Sequence, residues 1–453
     1  MDLFKYINRF IVYPLYYFKS GDKRLTRLKV MERNQFLPTE QLEKLRENKL
    51  RDIVSYAYEN TQYYRQLLDE QGILPSEIHT LDDLSKIPPL TKFHIQNYTE
   101  GLLSKGFDKA DLIKDASGGS TGEPTVFYKN LEYLQLRAAD QLRHDRWSGW
   151  NRGDRFALIW GAQRDLKASQ SFREFIISRY IARIWELDAF DMNTKTMGEY
   201  VATLHKIQPK MILGYANALV AFSEYLTKHH PNHGINPKGI ISSAETLTEE
   251  KRNKIEVAFN CKVLNRYGSR EVGLIASECP EQSGLHINAD NVHVEIVKDG
   301  KPAPLGESGD ILVTDFSNKA MPLIRYKLGD VGRLSLGECS CGRTLPLLQS
   351  VEGRSGDFFV AANGALVHGE YFTHLFYGQE DVKKFQMIQE SIESVKLKIV
   401  SFNEDLKAPY LNMIIEKTVE MLGQQCTVSV VFVSDIPPTV SGKSLFTISK
   451  VER

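Results

Sequence analysis

The sequence predicts an α/β fold with a mainly parallel sheet, followed by a small α+β unit. Three observations carry this. Short apolar strands alternate with helical stretches between Gly149 and Gly239. Each strand ends in small residues: Phe156-Ala-Leu-Ile-Trp160 at Gly161, Met211-Ile-Leu213 at Gly214, and Gly239-Ile-Ile-Ser242 at Ser243. Beyond Asp357 the pattern becomes strand, helix, strand on a smaller scale. Strands separated by helices form parallel sheets, whose ligands bind beyond the strands' carboxyl ends. Gly161, Gly214 and Ser243-Ala244-Glu245 are therefore expected pocket walls.

A chain of 453 residues exceeds one ordinary core, so at least two domains are expected, 1–355 and 356–453. It is 42% hydrophobic and 25% charged, as globular proteins are. Its 57 basic and 57 acidic residues argue against nucleic-acid binding through bulk charge. Five cysteines are too few for a disulfide framework, which points to a reducing cytoplasm. No apolar run is long enough to span a membrane. The aromatic, basic stretch from Leu3 to Phe18, interrupted by Pro14, lacks a signal-peptide cleavage site. It can lie peripherally in a membrane interface; the plainer alternative is a segment packed on its own core.

Taken in order, the first hundred residues are helical. Leu42, Leu45, Leu50, Ile53, Ala57, Tyr64, Leu67 and Leu68 recur at mixed three- and four-residue spacings, and Pro88-Pro89 closes that run. A Gly/Ser loop follows, Asp115-Ala-Ser-Gly-Gly-Ser-Thr-Gly-Glu-Pro-Thr125, and then a helix from about Leu131 to Trp147. After the alternating α/β region comes Val263-Leu-Asn-Arg-Tyr-Gly-Ser-Arg-Glu271, a strand ending in Tyr-Gly. Glu271 could sit near a metal-bound phosphate, or it could open a helix, where the dipole favours a carboxylate. Val292, Val294 and Ile296 mark a strand, as does Asp310-Ile-Leu-Val-Thr314. Asp330 follows a glycine, a pattern also common in hairpin turns. In the last unit Val395, Leu397 and Ile399 mark a strand and Val428, Val430 and Phe432 another. Leu411, Ile415, Val419 and Leu422 mark a helix between them. Cys261 and Cys426 are expected on apolar strands, as core residues.

The Gly/Ser loop can wrap backbone N–H groups and hydroxyls around a polyphosphate. It is not a Walker A loop, because no lysine follows Gly122. Near the C-terminus, Ile436-Pro-Pro-Thr-Val-Ser-Gly-Lys443 presents a lysine on a second such loop.

The order of these pieces resembles the adenylate-forming superfamily of acyl-CoA ligases, within it most the phenylacetate-CoA ligase and capsular-polysaccharide (CapK-like) branch. Ser117-Gly-Gly-Ser-Thr-Gly-Glu-Pro124 is similar to the family's phosphate loop, and Tyr267-Gly-Ser-Arg-Glu271 to its Tyr-Gly-x-Thr-Glu segment. Asp330 is similar to the ribose-binding aspartate, Gly353-Arg354 to the hinge-side arginine, and Ser441-Gly-Lys443 to the catalytic lysine segment. The resemblance covers nearly the whole chain. It implies a large N-terminal adenylate-forming domain and a mobile C-terminal one. It also implies a two-step reaction: ATP and a small carboxylic acid give an acyl-adenylate, and CoA or another acceptor takes the acyl group.

By this resemblance Glu271 holds Mg²⁺, while Ser117, Gly118, Gly119, Ser120, Thr121 and Gly122 surround the phosphates. Ser243, Ala244 and Glu245 border adenine, with Arg266, Tyr267, Gly268 and Ser269 lining the nucleotide site. Asp330 and Arg354 hold ribose, and Lys443 bridges the acyl and α-phosphate oxygens. Trp160, Tyr215 and Asn217 lie near the acid. Two positions depart from the family. Gly356 stands at the hinge, where aspartate is usual, and Arg270 replaces a Thr or Ser beside the α-phosphate. Arg270 either supplies a cation there or points away.

Cys279, His286, Cys339 and Cys341 form a thiolate–imidazole set suited to structural, tetrahedral zinc. Cys-x-Cys before Gly342 is alternatively a tight turn. His293 is the substitute ligand should His286 point elsewhere.

Overall fold

A computed structural model describes residues 2–117, 125–161, 177–189, 192–352, 358–376, 381–401, 408–436 and 446–451. Gly118, Gly119, Ser120, Thr121, Gly122, Arg354, Gly356 and Lys443 lie outside the described residues, as does the expected domain boundary at 355/356. The described residues fall into two compact units. One draws on Met1–Ser117, Thr125–Asn151 and Leu264–Gly353, the other on Arg152–Val263 and Arg354–Arg453.

In the first unit, the helix Thr39–Asn60 buries Leu42, Arg46, Leu50, Ile53 and Ala57, one stripe at three- and four-residue spacing. It stops at Thr61, whose extended backbone breaks the helix and whose hydroxyl accepts from Tyr64 N–H to cap the helix Gln62–Glu70. The helix Leu131–Trp147 begins the same way, with the Asn130 side chain accepting from Tyr133 N–H. Its Arg143 is fully buried and ion-pairs with Asp290 at 2.9 Å.

The strands of this unit pair antiparallel. Their spatial order is Lys301–Pro302, Val292–Lys298, Ser308–Asp315, Tyr326–Leu334, Leu347–Glu352, Leu285–Ile287, Gly273–Glu278 and Val263–Ser269. A separate hairpin pairs Ile113–Ser117 with Thr125–Lys129, in a register that sets Ser117 opposite Thr125. Leu3–Lys19 is helical throughout, with Tyr13 and Tyr17 buried but Leu3, Phe10 and Phe18 exposed. Packing on its own core thus accounts for one side of this segment only.

The second unit carries the parallel strands expected from the sequence. Their order is Gly239–Ser243, Met211–Tyr215, Phe156–Trp160 and Ile184–Asp188, each parallel to its neighbour. The helix Thr194–Ile207 buries Met197, Tyr200, Val201, Leu204 and Ile207 in the surrounding core and ends at Gln208 in the left-handed region. The last part of the chain has its own core around Phe359, Phe372, Leu397 and Ile414. Its four strands are ordered Thr427–Phe432, Ser394–Ser401, Val382–Ser391 and Thr447–Ser449. The helix Ala408–Leu422 buries Ile414, Thr418 and Leu422, so the buried edge is offset from the Leu411–Ile415–Val419 line.

Three local readings change. Glu271 opens no helix: residues 270–272 form a turn between two antiparallel strands. Asp330 lies inside the strand Tyr326–Leu334 rather than in a hairpin turn. Cys261 lies two residues before the strand Val263–Ser269 and Cys426 directly before Thr427–Phe432, instead of on them, though Cys426 is buried. No helix of the described residues is long and apolar enough to cross a membrane.

Candidate functional site

The first unit brings two distant sequence motifs together. Tyr267 donates its hydroxyl to Asp330 Oδ2 at 2.9 Å. Their strands are separated in the sheet by Leu347–Glu352, Leu285–Ile287 and Gly273–Glu278. Four inter-strand steps would span about 19 Å in a flat sheet. That is more than an extended tyrosine, an aspartate and a hydrogen bond can bridge, so the sheet curls to close this contact. A bulge between Tyr267 and Gly268 shifts the register just where the tyrosine must be aimed. Only glycine fits at 268, since a Cβ there would lie 2.5 Å from the Gly273 carbonyl oxygen.

The turn after this strand carries Arg270 and Glu271, and it is gripped on all sides. Ser269 Oγ accepts from Val272 N–H at 3.1 Å. Lys129 Nζ donates to the Arg270 carbonyl at 2.8 Å, and the Tyr133 hydroxyl donates to the Val272 carbonyl at 2.8 Å. Glu271 is 5% exposed and accepts from the Tyr326 hydroxyl at 3.3 Å. A buried carboxylate is the hard oxygen donor that Mg²⁺ takes, so this residue fits such an ion.

Lys129 also ties the turn to the hairpin that flanks the Gly/Ser loop. It pairs with Asp115 at 2.6 Å, and an Arg270 guanidinium nitrogen lies 4.0 Å from the same carboxylate. Burial, then the charge of Arg137, pulls Lys129 down to about 8; Asp115 and Glu271 act against them. Burial alone would raise Asp115, but Lys129 and Arg270 hold it below the usual carboxylate value. Arg270 therefore points along the hairpin toward Asp115, at the base of the loop. Ser117 sits in the hairpin strand at the loop's start.

Arg266 does not join this group. Residues alternate across a strand, so it faces away from Tyr267, is buried, and pairs with Asp145 at 2.5 Å.

The second unit gathers its own expected residues at the carboxyl ends of the parallel strands. Tyr215 is opposite Ser243, and the Trp160 and Tyr215 rings stack at 4.0 Å. Ala244 takes a left-handed φ of 68°, turning the chain as the strand ends. Glu245 accepts from Asn217 N–H at 2.7 Å and from Asn217 Nδ2 at 3.1 Å. This carboxylate thereby caps the helix Ala216–His229.

Cys279, His286, Cys339 and Cys341 converge in the first unit, with all four ligand atoms within 4.8 Å of one another. Cys279 and Cys339 sulfurs are 3.6 Å apart, and Cys341 Sγ lies 3.4 Å from His286 Nε2. A tetrahedral ion with Zn–S of about 2.3 Å and Zn–N of about 2.0 Å separates its ligands by nearly these distances. Burial pushes the Cys279 thiol up to about 12 and His286 down to about 4. A bound cation would reverse the first effect, and a neutral imidazole is the ligating form. His293 lies elsewhere, its Nδ1 2.7 Å from an Arg46 guanidinium nitrogen.

The sequence reading gave no role to Lys129 or Tyr326. One signal was available for Lys129: it ends the apolar strand Thr125–Lys129, where a charge is out of place without a partner. Tyr326 lies between Arg325 and Lys327, and nothing in that local pattern points it toward Glu271.

Residues 359–450 match the CapK C-terminal domain. Protein CapK of Staphylococcus aureus is 25% identical over 90% of this chain and 89% of that protein. Phenylacetate-coenzyme A ligase of Thermus thermophilus is 27% identical over 72% of this chain and 73% of that protein. The Escherichia coli phenylacetate-coenzyme A ligase is 28% identical over 71% and 73%. Among solved structures, 2-hydroxyisobutyryl-CoA ligase in complex with 2-HIB-AMP and CoA aligns with a TM-score of 0.64 at 19% identity, covering 93% of this chain and 92% of that one. The fold is that of the adenylate-forming CoA ligases.

Proposed function

We propose that this chain, a relative of CapK and the phenylacetate-CoA ligases, activates a small carboxylic acid with ATP and passes the acyl group to CoA. The carrying observation is the Tyr267–Asp330 hydrogen bond beside the buried Glu271, which unites two of the expected nucleotide motifs. In the first step a carboxylate oxygen of the acid attacks the α-phosphorus, and pyrophosphate leaves. In the second the CoA sulfur attacks the acyl carbonyl carbon, and AMP leaves. ATP and a carboxylate repel, so the site must supply positive charge.

Lys443 is assigned the acyl and α-phosphate oxygens, and Arg354 shares the ribose with Asp330. Ser117, Ser120 and Thr121 contact the phosphates. Arg270, anchored toward Asp115 at the base of the loop, adds a cation near them. Glu271 would hold Mg²⁺, which supplies charge neutralisation at the phosphates when bound. Ser243, Ala244 and Glu245 border adenine, and the Trp160–Tyr215 stack forms an aromatic wall near the acid. The domain boundary proposed near residue 355 lets the last part of the chain move between the two steps. Cys279, His286, Cys339 and Cys341 would hold a structural zinc away from the chemistry, and the unpaired thiols suit a reducing cytoplasm.

A second reading is favoured by the CapK C-terminal domain match and by CapK's coverage of the chain. In it the adenylate forms, but the acceptor is an amine or hydroxyl of a surface-polysaccharide pathway rather than CoA.

Acid-dependent ATP–pyrophosphate exchange without CoA, across aryl, short-chain and hydroxy acids, tests the first step. Exchange with one class, lost in Lys443→Ala, is expected. Adding CoA should then release AMP and thioester; an adenylate that CoA leaves untouched selects the second reading. ATP binding with no exchange for any acid would sink both.

A further inference from the structure

We propose that the N-terminal helical segment docks this protein on an anionic lipid bilayer, lying in the plane of its surface. From Leu3 to Lys19 the chain is continuously helical: an α-helix Leu3–Ile7, a wide π turn Asn8–Val12, and an α-helix Tyr13–Lys19. The wide turn precedes Pro14, which has no N–H to give a regular helix and whose ring crowds the preceding turn. The wide turn therefore lets one face continue past the proline.

That face is apolar and bare. Leu3, Ile7, Phe10, Ile11, Leu15 and Phe18 recur at three- and four-residue intervals, and Phe10 and Phe18 are 67% and 84% exposed. The other side is fixed to the body of the first unit. Tyr13 and Tyr17 are buried, and the Arg24 guanidinium lies 4.6 Å from the Tyr17 ring centroid. Lys23 N–H donates to Gln135 Oε1 at 3.2 Å. The exposed side chains thus belong to an element seated on the fold, not to a loose tail. Patches of this kind mark interaction surfaces.

Charge selects the occupant. No acidic residue occurs from Leu3 to Gly21, whereas Lys5, Arg9 and Lys19 are spread along the segment. An anionic headgroup layer complements that pattern, with acyl chains taking the apolar face. A second copy of this face would set the same cations, Lys5, Arg9 and Lys19, against themselves, while the flanking Asp22 is paired with Arg24 at 2.6 Å. No helix of the described residues is long and apolar enough to cross a bilayer, and this one carries three cations, so it is placed on the surface. This inference is independent of adenylation.

The test is flotation of the full chain with phosphatidylcholine vesicles, with and without a quarter phosphatidylglycerol. The paired variant Phe10→Asp/Phe18→Asp is compared, since both side chains are exposed and the fold should survive; circular dichroism and melting check this. Wild type should float with the anionic vesicles and less so at high salt. The folded variant should partition about tenfold less. Wild type that stays at the bottom with both vesicles overturns the proposal. Sedimentation velocity then says whether the face joins two copies, as a dimer split by the variant would show. Equal flotation of wild type and variant overturns it as well.

Discussion

The Tyr267 hydroxyl and the Asp330 carboxylate meet at 2.9 Å from strands that three others separate. The contact exists only because the sheet curls, and it sets a carboxylate assigned to the ribose beside the turn assigned to the metal. Removing the tyrosine hydroxyl should free Asp330 to rotate. Tyr267→Phe is expected to raise the KM for ATP in pyrophosphate exchange by about tenfold, the worth of a hydrogen bond to a charged group. Asp330→Asn should raise it further, with melting temperature little changed in both. An unaltered KM in Asp330→Asn would remove this residue from the nucleotide site.

Glu271 is the residue assigned to Mg²⁺ in the proposed reaction. Glu271→Gln keeps an acceptor for Tyr326 but loses the negative charge. Exchange should fall by about two orders of magnitude, and the Mg²⁺ concentration for half-maximal rate should rise. A normal Mg²⁺ titration in that variant would place the ion elsewhere.

Lys129 should make both stability and rate depend on alkaline pH. Its folded value, about 8, lies below the ordinary 10.5 because burial, then Arg137, disfavours the charge. Between these values the unfolded chain holds the proton and the folded chain does not. Lys129's contribution to stability therefore rises from about pH 8 to about 10.5. Rate should move the other way, because a deprotonated Lys129 loosens its hold on Asp115 and on the Arg270 carbonyl. The alkaline limb of the exchange profile is expected near pH 8 and should shift upward in Lys129→Arg, which keeps its charge. Coincident profiles would mean that Lys129 does not govern the limb.

The cysteine–histidine cluster predicts a metal and a cost for losing it. Elemental analysis of protein purified without added metal should find about one zinc per chain, and Cys339→Ser or Cys341→Ser should abolish it. Chelation should lower the melting temperature of wild type and leave the variants unmoved. Metal-free wild type with unchanged melting would show that the thiols are simply packed together.

Much of the fold is readable from local pattern. The apolar strands ending at Gly161, Gly214 and Ser243, and the helix Leu131–Trp147, follow from periodicity and caps that act within a few residues. The readings that changed are those in which local chemistry serves two structures equally. A Gly-Asp pair suits a hairpin turn, but at Asp330 it lies within a strand, with Gly329 at a φ of 87°. A glutamate after Ser-Arg suits a helix start, but the following residues pair back on the strand and make a turn.

By itself the sequence determined the order of elements, the α/β character with its small C-terminal unit, and the succession of motifs from Ser117 to Lys443. These depend on spacing along the chain, which is written in the chain. Only the tertiary structure decided which side chains share a face. It turned Tyr267 toward Asp330 and Arg266 toward Asp145, chose His286 over His293 for the thiolate cluster, and buried Lys129 against Asp115. It also left the N-terminal apolar face uncovered. Alternation along a strand or helix says that two faces differ, but which one meets which partner is set by sheet order and curl, through contacts far apart in sequence.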